Sequence, residues 1–222
     1  MPKTLKEILQ PYLVEDDFNA KHEKQTKELE ETKPLHDRLT AHYKHFDQWH
    51  LRKLKKYSDE SEATNNYLWQ RHKRRTIGNG HERGGESSNV QKLDEATQIH
   101  KTPEAMTVYS GVQYDPRKKM NKEGIVHHPA YLSTSLRHSI AEGFAYNQKD
   151  DGATRHVLHI HLKKGTTGAY IGDHSHSPPE REFLLPRGTN LKHQGTDSYE
   201  YERNHYGKVT RVTVYNHHME PA

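Results

Sequence analysis

Two glutamates, Glu180 and Glu182, stand at the mouth of the apolar run Phe183-Leu184-Leu185, behind the loop Asp173-His174-Ser175-His176-Ser177-Pro178-Pro179. Carboxylates at i and i+2 share a face in a regular strand, but a junction between loop and strand separates their roles. Glu182, rooted in a buried strand, is suited to stabilising a positively charged sugar transition state. Glu180, on the loop, is suited to orienting and deprotonating an incoming nucleophile. A third group lies 49 residues before Glu182, in the strand end Ser133-Thr134-Ser135. A hydroxyl there can hydrogen-bond the fixed carboxylate and hold its rotamer, which assigns Ser133 to positioning. Tyr109-Ser110-Gly111 occupies the first strand-like segment and completes the set.

The elements that must position these residues change texture along the chain. Residues 1–78 read as helical. Leu5, Ile8, Leu9 and Tyr12 share one helical face. A second helix is expected to open at Thr32 as cap with Pro34 in its first turn, carrying Leu35, Leu39, Tyr43 and Phe46. A third is expected over Asp59 to Arg75. Residues 79–103 read as linker or loop, because Ile77 to Asn89 holds four glycines and no apolar residue after Ile77. From 104 to 222 the pattern is strand-like: Met106–Gln113, Ala130–Ser135, His156–Leu162, Ala169–Ile171, Glu182–Leu185 and Val209–Tyr215. One helix interrupts the series, with Leu136, Ile140 and Phe144 four residues apart and Ser139 and Glu142 spaced for a capping box. The class is α+β, helices first and then a mostly antiparallel sheet.

Composition limits the chemistry. The 222 residues include no cysteine, so disulfides, thiol catalysis and cysteine-bound zinc are excluded. Only 30% of residues are apolar and 29% are charged, so the core must be economical and the surface heavily charged. The formal charge of +4 favours encounters with acidic surfaces without defining a nucleic-acid binder. The basic run Arg71–Arg75 and the pair Lys118-Lys119 read as solvated charge, and direct nucleic-acid recognition is not expected from them. The start of the chain lacks the apolar segment of a secretory signal, and no run reaches membrane-spanning length, so a soluble monomer in the cytoplasm is expected. Twenty histidines make adjacent pairs a matter of chance, no HExxH spacing occurs, and no metal site is expected.

In this order, Tyr109-Ser110-Gly111, Ser133-Thr134-Ser135 and Glu180-Arg181-Glu182 resemble the motifs of the arginine-serine-glutamate class of mono-ADP-ribosyltransferases, the ADP-ribosyltransferase exoenzyme family. Supporting text is Ala141-Glu142-Gly143-Phe144-Ala145 and Phe183-Leu184-Leu185-Pro186-Arg187-Gly188, the latter similar to bacteriophage and virion-borne members. Tyr57-Ser58, followed by Asn65 and Leu68, resembles the helix that precedes the first strand in the family. The resemblance implies an N-terminal helical lobe before a two-sheet β core. It also implies NAD+ as co-substrate, with no metal, and an acceptor protein, for a phage enzyme part of the host transcription or translation machinery in the host cytoplasm. Glu182 would stabilise the oxocarbenium ion, Ser133 would position it, and Glu180 would orient an arginine acceptor. Tyr109, Ser110, Gly111, Thr134, Phe144 and Asn65 would line the NAD+ site, although Phe144 also has the spacing of a core residue. One departure matters. Where the family usually has arginine, this chain has Ser110, which cannot grip a pyrophosphate bidentately. Arg117, Arg155 or Arg71 would have to supply that charge. The alternative is a non-catalytic binding protein on the same fold.

Overall fold

A computed structural model describes residues 15–44, 46–76, 88–146, 150, 152–205 and 208–222. The helical face at Leu5 to Tyr12 lies outside them, as does most of the glycine-rich segment. Among the described residues, four helices, α1 (Glu15–Tyr43), α2 (Gln48–Thr76), α3 (Ser88–Ile99) and α4 (His138–Phe144), accompany eight strands. The strands are β1 (Met106–Val112), β2 (Ile125–His128), β3 (Leu132–Ser135), β4 (Thr154–Leu162), β5 (Ala169–Tyr170), β6 (Glu182–Leu185), β7 (Thr189–His205) and β8 (Lys208–Pro221).

The helix boundaries differ from the sequence reading. α1 runs unbroken through Pro34. Thr32 is no cap: its hydroxyl donates to the Glu28 carbonyl at 2.6 Å, the back-bonding open to a threonine inside a helix. Proline removes one ladder bond, and burial of Leu39 and Tyr43 in the core holds the helix together across it. α2 starts eleven residues before Asp59 and bends at Glu60 (φ −118°, ψ 28°). Much of the expected linker is helix α3, whose Val90, Leu93 and Ala96 recur every three residues and are all buried. Those three, with Leu54, Tyr57 and Leu68 of α2, share one core cluster with the strands.

The strands run in the order β2-β7-β8-β4-β1-β3-β6-β5. The only parallel neighbours in it are β4 and β8. β1 and β3 share a single residue pair, Tyr109 with Ser135, so the two expected sheets meet at a narrow seam and hydrogen bonding runs on as one eight-stranded sheet. β2 and the 17-residue β7 escaped the sequence reading. β7 has few apolar residues, because its long hairpin with β8 is held by backbone pairing from Leu191–Pro221 to His205–Lys208. β4 alternates, yet both faces are covered: Leu158, Ile160 and Leu162 enter the main core, while Val157 joins Ala141, Ala145, Val212 and Val214 in a smaller one under α4. No helix among the described residues is long and apolar enough to cross a membrane.

His128, at the end of β2, ties the fold to pH. Its Nδ1 donates to the Ala130 carbonyl at 2.9 Å and its ring meets Trp69 edge-on. Burial drives its pKa down from 6.5 to about 4. A depressed histidine favours the fold fully above its unfolded value and loses that contribution as pH falls through the folded one. The expected result is that the His128 ring signals in NMR stay in the neutral form down to pH 5. Over the same range, from pH 6.5 to 5, the contribution of His128 to unfolding free energy falls by about 2 kcal/mol. Titration of His128 near pH 6.5 would contradict the buried placement.

Candidate active site

β6 places Glu182. Leu184 and Leu185 anchor the strand in the core, and Glu182 pairs with Ser135 of β3 across the ladder. Alternation puts Ser133, Ser135, Glu182 and Leu184 on one face and Thr134 and Phe183 on the other. Ser133 therefore lies diagonally across from Glu182, with its hydroxyl near enough to lower the pKa of that carboxylate. Ser175 adds a second hydroxyl, donating to Glu182 Oε2 at 3.4 Å.

A chain of polar groups continues into α2. Asn65 Nδ2 donates to the Tyr57 hydroxyl at 2.9 Å, and that hydroxyl lies 3.3 Å from Ser133 Oγ. The order Asn65, Tyr57, Ser133 thus brings a row of polar groups from α2 up to the carboxylate. The sequence reading gave Tyr57 no role in the site, although its place eight residues before Asn65 on one helix was visible.

Glu182 is 5% exposed. Burial raises its pKa from 4.5 to about 7, the hydroxyls of Ser133 and Ser175 pull it down, and the nearby charge of Glu180 pushes it up. Glu180 ends the short 3₁₀ turn Pro178–Glu180, half-buried, and its carboxyl is likewise raised by burial against the lowering effect of His176 and Ser177. Between the two glutamates Arg181 adopts a left-handed backbone, φ 49°. That twist breaks the strand alternation and separates the carboxylates, and a non-glycine residue held there signals a constrained junction. Several bonds hold it. Ser135 Oγ donates to the Glu180 carbonyl, Arg137 Nη1 donates to the Pro179 carbonyl at 2.8 Å, and Arg181 Nη1 donates to Thr32 Oγ1 of α1. Arg137 also reaches the Gln25 carbonyl of α1 at 2.9 Å. Ser135 was named from sequence only as part of its motif, without a role, and Arg137 was not singled out, since these contacts cross more than 40 residues.

The other expected site residues divide. Ser110 is buried, and its hydroxyl donates to the Ser133 carbonyl at 2.9 Å, lacing β1 to β3 beside the seam. Thr134 is buried and gives its hydroxyl to the Phe183 carbonyl at 2.6 Å, tying β3 to β6. Gly111 lies against the backbone of α4, where a side chain would collide with the Ala141 carbonyl. Tyr109 is half-buried, edge-on to His138 and His159. Phe144, at the end of α4, is 60% exposed and is not a core residue. The expected capping box of α4 is also replaced. Glu28 of α1 accepts from the Ser139 backbone N–H and hydroxyl, while Glu142 turns inward to Tyr201 at 2.7 Å and Tyr199 at 3.0 Å. Of the arginines considered as substitutes at Ser110, Arg117 is held bidentately by Asp115 and Arg155 lies 3.3 Å from Glu142. Arg71 lines a separate polar cavity of about 350 Å³ with His72, His127 and Arg187.

The arrangement fits a substrate with sugar hydroxyls. It offers a buried carboxylate, a serine hydroxyl and the Asn65 carbonyl oxygen, which is buried and has no hydrogen-bond partner among the described residues. The chain is similar, at 36% identity over 109 residues, to the NAD(+)--arginine ADP-ribosyltransferase EFV of Enterococcus faecalis; the match spans 47% of this chain and 20% of that protein's length. Among solved structures it resembles Plx2a, an ADP-ribosyltransferase toxin from Paenibacillus larvae (TM-score 0.59, 17% identity, covering 86% of this chain and 95% of that one). It also resembles C3stau2 from S. aureus with NAD (TM-score 0.59, 18% identity, covering 87% and 96%). At those identities the two structures show a common fold. The family model described as ADP-ribosyltransferase exoenzyme matches residues 15–216, nearly the whole chain, and with that match the protein belongs to the ADP-ribosyltransferase exoenzyme family.

Proposed function

We propose that this chain is an NAD+-dependent mono-ADP-ribosyltransferase that attaches ADP-ribose to an arginine side chain of an acceptor protein. The observation that carries the reading is the buried Glu182 carboxylate, bonded by Ser175 and lying beside Ser133, with Glu180 two residues away on a separate turn. In this reading the bond between the ribose C1′ and the nicotinamide nitrogen breaks, and nicotinamide leaves with the electron pair. The ionised Glu182 stabilises the resulting oxocarbenium ion. A guanidinium nitrogen of the acceptor then attacks C1′, and Glu180 takes its proton. Burial makes Glu180 more basic than a surface carboxylate, which suits that task. The name of the Enterococcus faecalis relative supports arginine as acceptor, and the chain spans only about a fifth of that protein.

The test uses NAD+ labelled on the adenylate, a bacterial lysate and mass spectrometry of the labelled proteins. The unmodified chain is expected to release nicotinamide and to label arginines. Glu180→Ala is expected to lose transfer by at least about 100-fold while still hydrolysing NAD+ to free ADP-ribose. One observation favours a second reading, a binding protein without catalysis: Ser110 commits its hydroxyl to β3 and supplies no guanidinium for a pyrophosphate. That reading takes over if the unmodified chain releases no nicotinamide.

A further inference from the structure

Away from the glutamates, at the far end of β1, three side chains from three elements converge. Asp115 precedes the 3₁₀ turn Pro116–Lys119, His156 lies on β4, and His217 lies on the neighbouring strand β8. Their ligand atoms all fall within 4.8 Å of one another, and His156 Nδ1 and His217 Nε2 lie 3.0 Å apart, sharing a hydrogen bond whose proton a metal ion would displace. His217 is fully buried and Asp115 is mostly covered. We propose that Asp115, His156 and His217 form a binding site for a divalent transition-metal ion, with zinc as the best match.

Donor chemistry and geometry agree. Two imidazole nitrogens and one carboxylate oxygen are a borderline set that suits zinc, with water or another oxygen completing a tetrahedron. A nitrogen–nitrogen separation near 3 Å is about that between neighbouring ligands around one small ion whose bonds are about 2 Å long. The surroundings hold the rings in place. His217 Nδ1 lies 3.1 Å from Thr196 Oγ1, which in turn lies 2.8 Å from His193 Nε2. With its proton on Nδ1 and donated to Thr196, His217 turns the Nε2 lone pair toward His156 and Asp115, as a ligand requires. Burial also keeps both rings below their usual pKa, in the neutral form that binds metal. The strands carrying the two histidines are the parallel pair β4 and β8, in register His156 with Tyr215 and Leu158 with His217, so backbone pairing fixes the separation. One group opposes the ion. Arg117 donates to both oxygens of Asp115, at 2.9 Å each, which orients the carboxylate but adds a positive charge. The site therefore binds more weakly than one without that arginine.

The experiment takes the full chain, free of any histidine tag and stripped with chelator, and measures zinc by equilibrium dialysis and cobalt by visible absorption. The expected result is one equivalent of zinc, a higher melting temperature with zinc, and intense tetrahedral bands with cobalt. His156→Gln and His217→Gln are expected to lose the equivalent. Thr196→Val, which keeps all three ligands, is expected to weaken binding by about tenfold. Arg117→Gln is expected to tighten it. His218→Gln is the control, because His161, His218 and Asp197 form a separate hydrogen-bonded row. The proposal is overturned if the unmodified chain takes up no zinc, or if His218→Gln, and not His217→Gln, removes it. Unchanged affinity in both Thr196→Val and Arg117→Gln also overturns it, and that outcome does not depend on whether the histidine variants fold.

Discussion

Glu182→Gln is expected to lower the rate of nicotinamide release by at least about 1,000-fold, equivalent to about 4 kcal/mol of transition-state stabilisation, while making the protein more stable at neutral pH. Both effects come from one charge in one buried place. Glutamine keeps the volume and still accepts a hydrogen bond from Ser175, but it supplies no negative charge to an oxocarbenium ion. The same charge is costly to hold in the fold, since Glu182 is raised from 4.5 to about 7, chiefly by burial. A raised group contributes stability that is fully present below the unfolded value and is lost as pH climbs through the folded one. The penalty of ionising Glu182 therefore grows between about pH 4.5 and 7 and then levels off. Over the interval from pH 5 to 8, Glu182→Gln gains about 2 kcal/mol on the unmodified chain, read by urea denaturation at each pH. His128 acts with the opposite sign, so the variant loses stability on acidification more steeply than the parent. The kcat/KM profile of the unmodified chain should rise with pH up to about 7, the range in which free Glu182 ionises. Equal stability of parent and variant at pH 8 would place Glu182 in water and remove the physical basis of the site.

Gly111→Ala is expected to destabilise the protein by more than about 3 kcal/mol and to lower its melting temperature by about 6–12 °C. A Cβ at this position would lie 2.0 Å from the Ala141 carbonyl oxygen, 2.5 Å from the Ala145 nitrogen and 2.9 Å from the Phe144 carbonyl carbon. All three are backbone atoms, so no rotamer change relieves the clash and α4 must lift from β1. That movement opens the small core of Ala141, Ala145, Val157, Val212 and Val214, and displaces Glu142 from Tyr199 and Tyr201. Gly143→Ala in the same helix is the internal control. Its Cβ would meet nothing within 4 Å, so the substitution is expected to stabilise by up to about 1 kcal/mol through helix propensity. Thermal melts of the two variants side by side would sink the account if both moved in the same direction. Gly111 therefore matters for how closely a helix approaches the strand.

The sequence by itself determined the strand under Glu182, the strand end at Ser133 and the order of motifs that marks the family. Each is local: a run of Phe183-Leu184-Leu185 behind a polar loop, or a two-residue alternation, carries its own signal. The sequence also showed that Ser110 stands where an arginine is usual. Tertiary structure decided what each hydroxyl does. Ser133, Thr134 and Ser135 are three consecutive residues of similar chemistry, yet their hydroxyls meet respectively the Tyr57 hydroxyl, the Phe183 carbonyl and the Glu180 carbonyl. Alternation assigns their faces, and the neighbouring segments assign their partners. The path of α1 through Pro34, the helix at Ser88–Ile99 and the polar strand β7 were hidden for a related reason. Each is held by packing or backbone pairing with segments far along the chain, which no window of local composition contains. The basicity of Glu182 belongs to the same class, because it arises from burial beneath α2 and the loop at Ser175, neither of which is adjacent to it in sequence.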